Sequence, residues 1–233
     1  MKPTGTQSVD PDGQSMRLTA VLDLAVVVAV LVIVKQALLP YTFVFAGPAS
    51  TLSAMIVGTV LLYRRGLKWS DLGFRWPESW LAVLGWSVVI FIAFLVTVAG
   101  ASAFANLFFE DVGTSGRFDF VRGDLAAYLL IMLVVWTHGS FFEELLFRAF
   151  IITKLSDTLG DMRGVSILAA IIAAVFFGYR HYYYQGMNGA IVTGAIGLLF
   201  GLIYLRLRNT TILPLILVHG AANSIAQTSR FLG

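Results

Sequence analysis

The sequence predicts an all-α bundle of transmembrane helices, and three observations carry the prediction. The 233 residues are 58% hydrophobic and 12% charged, with a mean hydropathy of +0.83; a soluble domain carries about twice that charge. Long stretches contain no Asp, Glu, Lys or Arg at all. The charges that remain fall between those stretches and divide unevenly between alternate connections. The same composition removes other classes. Net charge is +3 and the pI about 9.3, but the cations are dispersed between apolar runs, so there is no nucleic-acid footprint. Cysteine is absent, which eliminates disulfides, thiolate zinc sites and a cysteine nucleophile.

Taken in chain order, residues 1–16 are polar, contain Pro and Gly and lack the apolar run of a signal peptide, so they read as a disordered cytoplasmic tail. Residues 17–233 read as one transmembrane domain. A first span, Leu18 to Leu39, includes Asp23 and Lys35, which with Gln36 are expected near its ends, snorkelling towards headgroups. Six uncharged runs follow: Gln36–Tyr63 (28 residues), Ser79–Phe109 (31), Leu125–Phe142 (18), Gly164–Tyr179 (16), His181–Leu205 (25) and Asn209–Ser229 (21). A spanning helix needs roughly 20 residues. Seven spans result, or eight if one long run is split. With the N-terminus in the cytoplasm, ten cations fall on that side (Lys2, Arg17, Arg64, Arg65, Lys68, Arg75, Lys154, Arg163, Arg206 and Arg208). Four fall opposite: Lys35, Arg117, Arg122 and Arg230. This bias places the N-terminus inside and the C-terminus on the far side of a multi-pass membrane protein.

Ionisable residues inside such spans are the informative ones, because a charge at mid-bilayer costs about 2.5–3.5 kcal/mol on insertion scales. They concentrate in three places: FFEELLFR, with Glu143, Glu144 and Arg148; FFGYRH, ending in His181; and HGAAN, with His219 and Asn223. Glu144 and Arg148, four apart, share a helix face and can pair. Glu143 points about 100° away, leaving an unpaired carboxylate suited to general-base work. Phe177 and His181 share a face, as do His219 and Asn223; an imidazole and a carboxamide projecting together can hold an oxyanion or a metal. At 1.5 Å per residue, Glu143 lies roughly 16 Å from Lys154, and His219 roughly 16 Å from Arg208, so the groups can meet in one layer.

Bland readings cover much of the rest. A Glu–Arg pair also serves as glue between or within helices. His138 is five residues from Glu143, off its α-helical face, and reads as a core histidine. Tyr182, Tyr183 and Tyr184 read as an aromatic belt. Gly194, Gly197 and Gly201 read as small residues for close helix packing. Arg206 and Arg208 read as topology determinants.

Glu143-Glu144-x-x-x-Arg148, Phe177-x-x-x-His181 and His219-x-x-x-Asn223, in this order on separate apolar helices, resemble the CPBP family. That family comprises CAAX prenyl endopeptidases of the Ras-converting type and bacterial Abi and bacteriocin-processing relatives. SDLGF (70–74) and NTTILPLILVH (209–219) add to the resemblance, which spans about 68–228 with its protease-like core at about 124–228. It implies an intramembrane endopeptidase with a conical polar cavity, expected to open towards the cytoplasm. In the family's terms Glu143 activates water with help from His181, His219 and Asn223 hold the oxyanion, and Glu144, Arg148 and Phe177 support the site or the substrate. The cofactor stays open: none, or a divalent metal such as zinc, for which Glu143, His181 and His219 are the candidate ligands. The implied partners are the bilayer and a peptide substrate, either CAAX-like and lipidated or otherwise membrane-associated; nucleic acid is not among them. Two further classes stay open: a non-proteolytic scaffold or bacteriocin self-immunity protein, and a small transporter whose buried carboxylates and histidines relay protons or metal.

Overall fold

The computed structural model describes residues 11–113, 116–160 and 162–233, and every regular element among them is helical. The helices are α1 (Pro11–Leu38), α2 (Ala46–Arg64), α3 (Trp80–Ala105), α4 (Leu125–Trp136), α5 (Thr153–Leu159), α6 (Val165–Leu207) and α7 (Leu213–Leu232). Two wide-turned π segments, Thr137–Phe142 and Glu144–Ile152, join α4 to α5, so that Leu125–Leu159 is one 35-residue rod. Five helical stretches are long and apolar enough to cross a membrane: most of α1, then α2, α3, the Leu125–Leu159 rod and α6. The bundle is inside-out relative to a soluble protein. α3, for instance, turns Leu81, Val88, Ile92 and Val96 outwards, as a surface solvated by lipid requires.

Of the tail expected over residues 1–16, residues 11–16 belong to α1. α1 starts at Pro11, where the missing N–H of proline costs a helix nothing; residues 1–10 lie outside the described residues.

α6 explains much of the difference between five helices and seven spans. Its 43 residues are interrupted at Gly186, with φ 63° and ψ −167°, a backbone region essentially restricted to glycine. Beyond Gly186 the chain returns along its own first half. Gly197 sits against Ala174 and Gly201 against Ala170, while a side chain on Gly178 would collide with the Ala190 carbonyl. The small-residue packing expected at Gly194, Gly197 and Gly201 is thus the seam of a helical hairpin. α7 has the length of a span, 20 residues, but carries His219, Asn223, Gln227 and Arg230 along its length.

The rod is the axis of the fold. Every residue from Glu144 to Ile152 is buried, with Phe147 and Phe150 packed in the same core cluster as Phe177 and Phe200. At one end of the bundle Asp23, 1% exposed, receives Lys154 at 3.0 Å and Arg65 at 3.1 Å. Asp23 is therefore a buried tie between α1, α2 and α5, not a headgroup-facing residue: two cations repay the loss of its hydration. The loop at 68–76 is pinned at this same end, where Ile212 N–H donates to the Gly73 carbonyl (3.0 Å) and Thr211 Oγ1 to the Arg75 carbonyl (2.8 Å).

Candidate active site

The site begins with the wide turn in the rod. Thr137 Oγ1 donates to the Leu133 carbonyl (2.7 Å), Ser140 Oγ to the Trp136 carbonyl (2.8 Å), and Asn223 Nδ2 reaches across from α7 to the Gly139 carbonyl (3.0 Å). Side-chain donors that occupy helix carbonyls loosen the i→i−4 ladder, and here the ladder opens into i→i+5 turns. The consequence is a change of facing. Five residues, which in an α-helix end on different faces, end on the same one in a π turn, and His138 Nε2 comes to lie 3.4 Å from Glu143 Oε1. The core-histidine reading of His138 is corrected: it is a neighbour of the carboxylate.

Glu143 stands between two imidazoles. Its second oxygen is 3.9 Å from His219 Nε2, too far for a direct hydrogen bond but a span one water bridges. His219 Nδ1 lies 2.7 Å from Glu144 Oε1; since a carboxylate only accepts, the hydrogen is on Nδ1. The two glutamates are therefore linked through opposite nitrogens of one ring. Glu144 in turn is 3.2 Å from Arg148 Nε, and both are fully buried. The Arg148 guanidinium lies 4.4 Å from the centre of the Phe177 ring, and the His181 ring lies 4.6 Å from the same centre. His181 Nδ1 is 2.8 Å from the Phe177 carbonyl. That oxygen only accepts, so His181 donates from Nδ1 and presents a bare Nε2.

Glu143, His181, His219, Asn223 and Phe177 line one cavity of about 420 Å³, within the range of small-molecule sites. Glu144 and Arg148 sit behind that wall. Among the described residues no three histidines or carboxylates converge as a metal site would require, so the candidate set Glu143, His181 and His219 is not gathered around a common point. The lining of the cavity also reaches one end of the bundle. Lys35 from the last turn of α1, Gly47 from the first turn of α2, Arg117 from the 106–124 connection and Arg230 all contribute to its lining. These mark the end of the bundle opposite the basic loops.

Several residues here carried no signal in the sequence. Lys35, expected at an interface, is buried and donates to the Arg180 carbonyl (2.8 Å). Tyr183 and Tyr184 face the cavity, and of the three tyrosines only Tyr182 points outwards. Thr51 joins the wall to the site: its hydroxyl is 3.2 Å from His138 Nε2 and 3.4 Å from Arg180 Nη2.

Residues 125–225 match the family described as type II CAAX prenyl endopeptidase, Rce1-like. The chain has an Rce1-like core. The matched segment contains every motif residue from Glu143 to Asn223 and the whole hairpin, and the family it is similar to is one of proteases. It leaves α1, α2 and α3 outside, although Lys35 and Thr51 reach the same cavity region. No curated protein and no solved structure matches the chain.

Proposed function

We propose that the chain is an intramembrane endopeptidase in which Glu143 activates water for attack on a peptide bond. The observation that supports it best is Glu143 flanked by His138 and His219 on the wall of a cavity, with His219 fixed by Glu144. Glu143 takes one proton from the water as its oxygen bonds to the peptide carbonyl carbon, and the bare Nε2 of His181 accepts the water's other hydrogen and aims it. Charge then develops on the former carbonyl oxygen. Asn223 has one N–H committed to Gly139 and a second to offer this oxyanion. His219, anchored through Nδ1 on the Glu144 carboxylate, turns its Nε2 towards the same place and is a second donor when that nitrogen carries a hydrogen. The carbon–nitrogen bond breaks as the proton on Glu143 passes to the leaving nitrogen, giving a carboxylate and an amine. Glu144 and Arg148 position these groups without touching substrate, and Phe177 is the floor between them.

Asn223→Ala should lower the cleavage rate of the protein reconstituted in vesicles by about 10²–10³-fold, the cost of one oxyanion donor. An unchanged rate on a verified peptide would remove Asn223 from this role.

We read α6 as two passes around Gly186 and α7 as another, giving seven spans, with the N-terminus cytoplasmic and the C-terminus opposite. With the end lined by Lys35, Gly47, Arg117 and Arg230 read as the mouth of the cavity, substrate enters from the side away from the cytoplasm, which favours a membrane-associated peptide presented there over a lipidated cytoplasmic one. Because cysteine is absent, single cysteines report this cleanly. Tyr41→Cys, at an 86% exposed position near the mouth, should react with an impermeant maleimide on intact cells. Glu78→Cys, at the basic end, should react only after permeabilisation; the reverse pattern would invert the topology.

A further inference from the structure

One face of α7 lines the cavity along most of the helix. His219, Ala222, Asn223, Ala226, Gln227 and Arg230 all contribute to it. They occupy the i, i+3, i+4, i+7, i+8 and i+11 positions of a single helical stripe, and the two alanines leave a trough beside the longer side chains. At 1.5 Å per residue the stripe runs for about 16 Å. A different face of the same helix is fixed. The Tyr128 hydroxyl lies 3.0 Å from Thr228 Oγ1, the Tyr128 and Phe231 rings stack with centres 4.8 Å apart, and Gly123 N–H donates to the Phe231 carbonyl at 3.0 Å. These contacts with the start of α4 and the residues before it set the rotation of α7, and with it the direction of the trough.

Gln227 is a member of this stripe to which the mechanism gives no task. It is 5% exposed, and its Oε1 is a buried acceptor with no hydrogen-bond partner. Buried carboxamides are ordinarily bonded, because an unmet one keeps the cost of its lost hydration, and surrounding lipid offers no substitute donor. Asn223, one turn back, has its Nδ2 on the Gly139 carbonyl; the Gln227 oxygen has no such counterpart. Four residues of helix separate the two side chains, a rise of about 6 Å, and two residues of extended peptide span about 6.6 Å. Resting on the peptidase reading above, we propose that Gln227 binds substrate, its carboxamide oxygen accepting a main-chain N–H of an extended peptide about two residues from the scissile bond, towards the Arg230 end of the cavity. The recognised group is backbone. The contact therefore sets the register of the peptide against Asn223 and Glu143 and does not select side chains.

The test uses the full chain carrying Glu143→Gln in phosphatidylcholine nanodiscs, so that binding is read without turnover. The probe is dansyl-Ala-Val-Leu-Phe-Ala amide, compared with four versions in which an ester replaces one internal amide. Each ester removes a single N–H without adding bulk. One of the four should bind about 3–10-fold more weakly than the all-amide peptide, the worth of one neutral hydrogen bond. Gln227→Met keeps the length of the side chain and removes the acceptor. In that variant the all-amide peptide should lose the same 3–10-fold, and the sensitive ester should lose nothing further. Gln227→Leu serves the same comparison if Gln227→Met proves poorly folded. Equal affinities for the amide and all four esters, an ester effect that survives Gln227→Met, or absence of saturable binding would each overturn the proposal. So would a lower unfolding temperature in Gln227→Met with unchanged affinity, which would make Gln227 a structural residue. Because binding is measured without cleavage, the ester effect can hold while Glu143 proves not to be the base, and cleavage can persist where no ester effect is found.

Discussion

Glu143→Gln should abolish peptide hydrolysis while the protein remains folded and inserted. Glutamine keeps the shape of the side chain and can still meet His138 and His219, but its amide cannot take a proton from water. General-base catalysis alone is worth about 10²–10⁴-fold, and the substitution also removes the carboxylate to which the proposed mechanism assigns the attacking water. Cleavage of a verified peptide in vesicles, read beside thermal unfolding of the same preparation, separates lost chemistry from lost fold. Hydrolysis at the wild-type rate would make the mechanism wrong. Partner binding that persists in Glu143→Gln, with no peptide cut by either protein, would point to the scaffold class.

Arg148→Ala should act mainly on stability. Its guanidinium is 1% exposed, pairs with Glu144 at 3.2 Å and covers the face of Phe177. Removing one partner of a buried ion pair costs about 3–5 kcal/mol, because the other charge is left uncompensated. Glu144 also fixes His219, so activity should fall together with the unfolding temperature. The double variant Arg148→Met with Glu144→Gln separates the causes. It should recover much of the stability, since no charge is stranded, and little of the activity, since His219 has lost its anionic partner. A single Arg148→Ala variant as stable as wild type would show that the pair does not hold this part of the fold.

The parts of this structure that obey α-helical arithmetic were legible in the sequence. Four-residue spacing placed Glu144 beside Arg148 and His181 beside Phe177, and uncharged runs located the long helices. The misread parts break that arithmetic. His138 looked remote from Glu143 because five residues is the wrong interval for an α-helix; three side-chain donors on the carbonyls of Leu133, Trp136 and Gly139 change the interval, and one of them comes from a helix more than 80 residues later. Arg180 interrupted an apolar run and so looked like the end of a span, yet the helix continues to the glycine six positions on. Lys35 and Asp23 sit near helix ends, where a charge that snorkels and a charge that is buried leave the same mark in a hydropathy profile. Only the partners decide between the two, and Asp23 finds its partners 42 and 131 residues away.

The tie at Asp23 bears on what counts as a module. By sequence, the recognisable unit starts at residue 125, and the first three helices look like an appendage that could be exchanged or cut away. Physically they are not separable. Excision at Leu125 would strip Lys154 of its carboxylate, expose the side of the rod that α1 and α2 cover, and remove Thr51 from between His138 and Arg180. A graft of the 125–225 segment onto another membrane anchor would thus carry the motif residues but not the walls that hold them. The inheritable unit and the foldable unit of this protein have different boundaries.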